Sequence, residues 1–168
     1  MIDQVSSSLR FDDLGAVPPE QLVTHMNDPR VAAHLPLLTH PWTIQDAQAF
    51  QAAKRQRWIK DGLGHWAIYS GERYVGWGGF EKDGETWDFG LVLTPEAFGL
   101  GRSVFLKALE FARHDERIEV ISFLLAPSRR SLSALTRYGA VYAGEDDHAG
   151  QRFLRYELSL APRKSPGQ

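Results

Sequence analysis

The chain has 168 residues, 43% hydrophobic and 24% charged, with no cysteine and a formal net charge of −2. That length lets one domain bury roughly two thirds of the surface its unfolded form exposes, and neither disorder nor a membrane span is the default for such a composition. The missing cysteines exclude a disulfide framework, a thiolate zinc site and a cysteine nucleophile. Interspersed charges of nearly balanced sign argue against a dedicated nucleic-acid or membrane-surface binder, and the N-terminus lacks the charged-then-apolar pattern of a signal peptide, so a cytoplasmic location is expected.

Leu9-Arg10-Phe11 reads as a short first strand, and Pro18-Pro19-Glu20 opens a helix with Leu22, Val23 and Met26 on one side. Asp28 is placed as N-cap with Pro29 at the first helical position, and Pro36 stops the helix that follows. Leu37 to Trp42 reads as a loop. Thr43 to Lys60 is a longer helix: Thr43 and Asp46 form a capping-box pattern, Ile44, Ala47 and Phe50 make a stripe, and Asp61-Gly62 supplies the exit.

From His65 the period changes to two. His65 to Tyr69, a turn at Ser70-Gly71-Glu72 and Arg73 to Phe80 read as a hairpin, in which Gly76, Gly78 and Gly79 point to a bulge or a close backbone contact. After a turn at Asp83-Gly84, Trp87, Phe89, Leu91 and Leu93 alternate with Asp88, Gly90, Val92 and Thr94, which puts Asp88 on the less apolar face. Val104, Phe105, Ala108, Leu109 and Ala112 keep helical spacing, and Ile118 to Leu125 is an apolar run of the kind a doubly covered parallel strand shows. These make a right-handed crossover unit. Ser128 caps a short helix through Leu132, Leu135 and Tyr138 that Gly139 ends, and Val141 to Ala143, a turn over Asp146 to Gly150 and Phe153 to Leu160 form a last hairpin. Residues 161–168 are expected to be a loose end.

The stretch from Leu93 to Arg102 carries two glycines, Gly99 and Gly101, at a helix start, where unpaired and unshielded backbone N–H groups suit a phosphate-bearing ligand. A dinucleotide fingerprint needs glycine where Val104 stands, and a P-loop needs a lysine where Arg102 stands. Glycines chosen only for packing are the bland alternative.

The order of elements from about Asp28 to Glu157 resembles the GNAT acyltransferase superfamily, in particular its branch of ribosomal-protein N-terminal acetyltransferases. The resemblance rests on Asn27-Asp28-Pro29-Arg30-Val31, His65-Trp66-Ala67-Ile68 with Val75-Gly76-Trp77-Gly78-Gly79, Trp87-Asp88-Phe89-Gly90-Leu91 followed by Pro95 to Gly101, and Pro127-Ser128-Arg129-Arg130-Ser131 through Tyr138-Gly139-Ala140. It implies an α+β domain over residues 1–160, with a mixed, mostly antiparallel sheet, one parallel strand-helix-strand crossover and helices on both faces. It implies acetyl-CoA as cosubstrate, with the amides of Phe98, Gly99, Leu100, Gly101 and Arg102 donating to the pyrophosphate and the helix dipole favouring its charge. Leu91, Val92, Leu93, Ser128, Arg130 and Tyr138 complete the expected cofactor contacts. Arg102, Arg129 and Arg130 stand at helix starts, where the dipole disfavours a cation and a phosphate would compensate.

Acetyl transfer to an amine needs a base, because alkyl amines are protonated near pH 7. Asp88 matches an acidic position of the resembling branch and is the expected base. Glu81 and Glu85 flank a turn and are expected to be solvated, and His65 is read as a buried strand histidine. The tyrosine acid common in the superfamily would fall at Leu135, so Ser131 is the residue left near the sulfur. Ser128 and Ala140 replace the usual Asn and Phe. Trp42, Trp58, Trp66 and Trp77 are read as core ahead of an acceptor pocket, and His25, His34 and His40 have no metal-ligand spacing. The resulting expectation is an acetyl-CoA-dependent N-acetyltransferase acting on a small-molecule or protein N-terminal amine, as monomer or homodimer, without nucleic acid, membrane or metal. The alternative is an acyl-CoA sensor of the same fold without turnover.

Overall fold

The computed structural model describes residues 8–127 and 133–160, with the side chains of Ser133 and Ala134 left aside. Seven strands form one sheet: β1 (Leu9–Asp12), β2 (His65–Ser70), β3 (Arg73–Asp83), β4 (Thr86–Leu93), β5 (Val120–Leu125), β6 (Val141–His148) and β7 (Gln151–Ser159), in the order β1-β2-β3-β4-β5-β7-β6. All neighbours are antiparallel except β4 and β5. The helices are α1 (Pro19–Asn27), α2 (Pro29–Ala32), α3 (Ile44–Asp61), α4 (Gly101–His114) and α5 (Ser133–Arg137), with 3-10 turns at Leu14–Ala16 and Pro95–Leu100. This is the expected mixed α/β architecture.

Local chemistry accounts for the long helix. Thr43 Oγ1 accepts from the Asp46 amide while Asp46 accepts from the Thr43 amide, and Gly62 takes the left-handed C-cap, so both ends of α3 are satisfied. The alternation in β4 sends Trp87 to a core shared with Phe80, Ile121, Phe123 and Leu158, which Ala108, Leu109 and Ala112 of α4 cover. A second core lies on the other face, where Leu22 and Met26 of α1 and Ala47 of α3 meet Ala67 and Trp77.

The glycines of β3 serve a close backbone approach. A Cβ on Gly78 would stand 2.4 Å from the Gly90 carbonyl oxygen, and one on Gly76 would stand 2.4 Å from that of Val92. The strand register also shifts between Ile68 and Tyr69 beside this segment.

One expectation, the turn over Asp146 to Gly150, needs correction. Residues 146–148 extend β6 instead of turning, and Ala149-Gly150 alone reverses the chain with φ of 51° and 77°. Arg152 pairs with Glu145 and Arg155 with Asp146 across the hairpin, which lets an acidic segment stay in a strand. The parallel strand expected in the run from Ile118 is present as β5, with Trp87 opposite Ile121 and Asp88 opposite Ser122, and its other edge pairs antiparallel with β7. The expected helix cap at Ser128 and the tail at 161–168 lie outside the described residues.

Candidate active site

Asp88 stands on the last row of the parallel pairing, at the vertex where β4 and β5 part. Beyond it, Phe89 to Leu93 pair with β3 on one side and have no register partner in β5 on the other. A strand edge left this way presents backbone N–H and C=O groups that need a partner. Leu93 is buried, while Leu91 and Val92 are partly buried against opposite cores.

The glycine stretch lies at the far end of that edge. At a rise of about 3.3 Å per residue, Leu93 is about 17 Å along the strand from Asp88. Pro95–Leu100 is a 3-10 turn that hands over to α4 at Gly101, and the N-cap residue, Leu100, supplies no side-chain cap. Its first turn holds no acid, and Arg102 there is exposed. Among the described residues, a Cβ on Gly99 would meet nothing within 4 Å, and one on Gly101 only the tip of Leu93 at 3.8 Å. Gly101 also has ordinary helical angles. Among the described residues, neither packing nor the Gly101 backbone therefore requires glycine, and what the two residues leave there is open space over helix-start amides. Phe98 is 45% exposed beside it.

Asp88 lies on the face opposite α4, in a cleft of about 480 Å³ lined in part by Lys54, Arg57, Glu81, Asp83 and His148. Burial pushes its carboxyl up to about 7; Asp83 and Glu81 add to the rise, and the Ser122 hydroxyl and Arg155 oppose it. Ser122, fully buried, donates to Asp88 Oδ1 at 3.2 Å. A carboxyl at this value exchanges its proton near neutral pH.

Glu81 is not the solvated residue expected beside a turn. The two-residue connection Gly84-Glu85 sets Asp83 opposite Thr86, and so Glu81 directly opposite Asp88. Its side chain is 19% exposed, with both oxygens near Lys54 Nζ at 3.0 and 3.1 Å and with Arg57 Nε 3.8 Å away. The two carboxyls thus differ by environment: Glu81 is held by cations and Asp88 is desolvated against a hydroxyl. Burial pulls Lys54 down, with Glu81 opposing, and pulls His65 well below its ordinary value, helped by Lys54 and Arg57. His65 is buried, as expected, and so is shut off from an acceptor.

The Lys54–Glu81 pair is mostly buried, so Lys54→Met removes the nearer of the two cations of Glu81 and leaves Arg57 at 3.8 Å, at an expected cost of about 2 kcal/mol of stability. Adding Glu81→Leu is expected to restore most of it, as read by urea unfolding of the single and double variants.

The remaining expected residues divide. Tyr138 packs on Phe105 of α4, with ring centroids 5.4 Å apart, and Leu135 packs on the main core. Ser128, Arg129, Arg130 and Ser131 lie outside the described residues. Trp77 is buried, and Trp58 and Trp66 stand edge to face against the main core. Trp42 packs on Phe50. Among the described residues no cluster could hold a metal ion, and no helix is long and apolar enough to cross a membrane. Lys54, Arg57, Ser122 and Arg155 were not singled out from the sequence.

No curated protein matches the chain. Its fold is similar to that of a GnaT-family acetyltransferase from Bordetella pertussis, with a TM-score of 0.69 at 17% identity over 90% of this chain and 96% of that one. A spermidine N-acetyltransferase from Vibrio cholerae, in complex with CoA and spermine, gives 0.67 at 14% identity over 91% and 96%. The aminoglycoside acetyltransferase AAC(6')-Ib with ribostamycin and coenzyme A gives 0.71 at 12% over 90% and 92%. With residues 10–141 matching the family model described as acetyltransferase (GNAT) domain, the chain belongs to that family.

Proposed function

We propose that the protein is an acetyl-CoA-dependent N-acetyltransferase of small-molecule amines, with Asp88 as general base. The observation that carries this is the placement of Asp88, with its raised proton affinity, at the vertex of the β4–β5 opening whose far end is the glycine turn. The distance from vertex to turn suits an extended pantetheine arm, and the free edge of β4 suits its amides. The space over Gly99 and Gly101 fits a pyrophosphate, with amides from Phe98 to Arg102 as donors.

Acetyl-CoA supplies the activated acyl group and a thiolate leaving group. Asp88, once ionised, takes a proton from the incoming ammonium at the oxygen not held by Ser122, and frees the nitrogen lone pair for attack on the thioester carbonyl; as the C–N bond forms the C–S bond breaks, and the leaving thiolate takes up the proton that the acylated nitrogen gives up. The Lys54–Glu81 pair keeps its own charges satisfied, and Asp88 is the buried carboxyl of the cleft whose proton exchanges near pH 7. A small acceptor is favoured because the spermidine and aminoglycoside enzymes of this fold carry spermine and ribostamycin in their complexes. A protein N-terminus, as in the ribosomal-protein branch, is the second acceptor class, favoured by the sequence signatures around Asp28 and Asp88.

Thiol release from acetyl-CoA, followed with spermidine, ribostamycin and a short peptide with a free N-terminus, tests the reading. Amine-dependent release with one of the first two is expected. Release with the peptide alone moves the enzyme to the second class, and release with none contradicts transfer to these amines.

A further inference from the structure

Arg155 of β7 is mostly buried and has three carboxylates within ion-pair distance: Asp146 at 3.1 Å, Asp83 at 3.3 Å and Glu157 at 3.4 Å. Its Nη2 also donates to a neutral group, Thr86 Oγ1, at 2.9 Å. The Thr86 hydroxyl has one proton and two acceptors in reach, the Asp83 carbonyl at 3.0 Å and Ser122 Oγ at 3.3 Å. Ser122 in turn donates to Asp88 Oδ1. We infer that Arg155 is a positioning residue for Asp88, acting through the hydroxyls of Thr86 and Ser122 in a chain that joins β7, β4 and β5.

The inference rests on Asp88 being the base. When Asp88 is ionised, Ser122 commits its proton to the carboxylate, and the Ser122 oxygen, fully buried, takes a donor from Thr86. When Asp88 is protonated, that demand falls away and Thr86 turns its proton to the Asp83 carbonyl. Arg155 donates to the Thr86 oxygen in either case, so it fixes the hydroxyl from which the chain starts and polarises it toward Ser122. Ionisation of Asp88 is thereby stabilised by a group that does not touch it, and the carboxylate is pinned by one oxygen with the other left for the acceptor. The other charged groups facing Asp88 are Lys54 and Arg57 of α3, Glu81, Lys82 and Asp83 of β3 and His148 of β6, all lining the same cleft. None of them donates to Thr86 or Ser122 among the described residues.

The test follows the Asp88 carboxyl carbon by NMR through a pH titration of the free protein, its signal assigned as the one lost in Asp88→Asn. Ser122→Ala is expected to raise the midpoint by about one pH unit, a tenfold change in proton affinity. Thr86→Val, which keeps the β-branched shape and leaves Arg155 charged, is expected to raise it by about half a unit, while Thr86→Ser holds the original value. Arg155→Met is expected to raise it at least as much as Thr86→Val. A midpoint unmoved in Thr86→Val but raised in Arg155→Met means that Arg155 acts through its field alone and overturns the chain. Failure of the base itself is seen separately, as transfer undiminished in Asp88→Asn.

Discussion

Asp88→Asn is expected to lower kcat/KM for an accepted amine by about a hundredfold or more, the range usual for loss of a general base, and at the same time to make the protein more stable at pH 8. The two effects share one origin. The carboxyl is carried from its ordinary 3.8 to about 7, mainly by burial. A carboxyl raised on folding binds its proton more tightly in the folded than in the unfolded chain, so stability falls as pH rises from about 4 to about 7 and the loss is complete above that. The full difference corresponds to at most about 4 kcal/mol. Asparagine keeps an oxygen for the Ser122 hydroxyl and has no charge to desolvate. A gain at pH 8 of about 1–3 kcal/mol is therefore expected, and it should vanish below pH 4. Chemical unfolding at the two pH values checks this. In the unmodified enzyme, kcat/KM is expected to rise with pH to a plateau above about 7, as the base becomes ionised.

Gly101→Asp is expected to separate stability from cofactor binding in the opposite way to a folding defect. The residue has helical angles and room for a Cβ. An acid in the first turn of α4, which now holds none, is favourable to the helix by about 0.3–1 kcal/mol, and the lost glycine adds to that. The same carboxylate stands where the pyrophosphate is proposed to lie. Acetyl-CoA affinity is expected to drop by about a hundredfold while the melting temperature holds or rises. A variant that loses neither binding nor stability contradicts the placement of the pyrophosphate.

Much of the fold was legible because local signals agreed with the global one. Thr43 with Asp46, Asp28 with Pro29 and the alternation from Trp87 to Leu93 each place an element with short-range chemistry alone. Asp88 is singled out by that alternation together with the acidic position of the resembling branch, and the structure places it at the β4–β5 vertex. What surrounds it was harder to read, because it comes from register. Glu81 was taken for a turn-flanking surface residue, yet the two-residue connection after Asp83 fixes it opposite Asp88, a consequence that counting outward from the turn would have given. Lys54 and Arg57 reach the cleft only through the packing of α3 on the sheet, while Ser122 meets Asp88 and Arg155 meets Thr86 through the pairing of β5 with β4 and β7, which no local pattern encodes. The last hairpin extends further for a related reason: Asp146-Asp147-His148 reads as part of a turn until the arginines across the hairpin, which pair with Glu145 and Asp146, are counted.

Calorimetric titration of the purified protein with acetyl-CoA, with NAD and ATP as controls, bears most directly on the central claim that the glycine turn and the β4–β5 opening hold an acyl-CoA. The expected result is saturable binding of acetyl-CoA with one site per chain and no binding of NAD or ATP under the same conditions. Equal binding of all three, or no binding of acetyl-CoA, would contradict it.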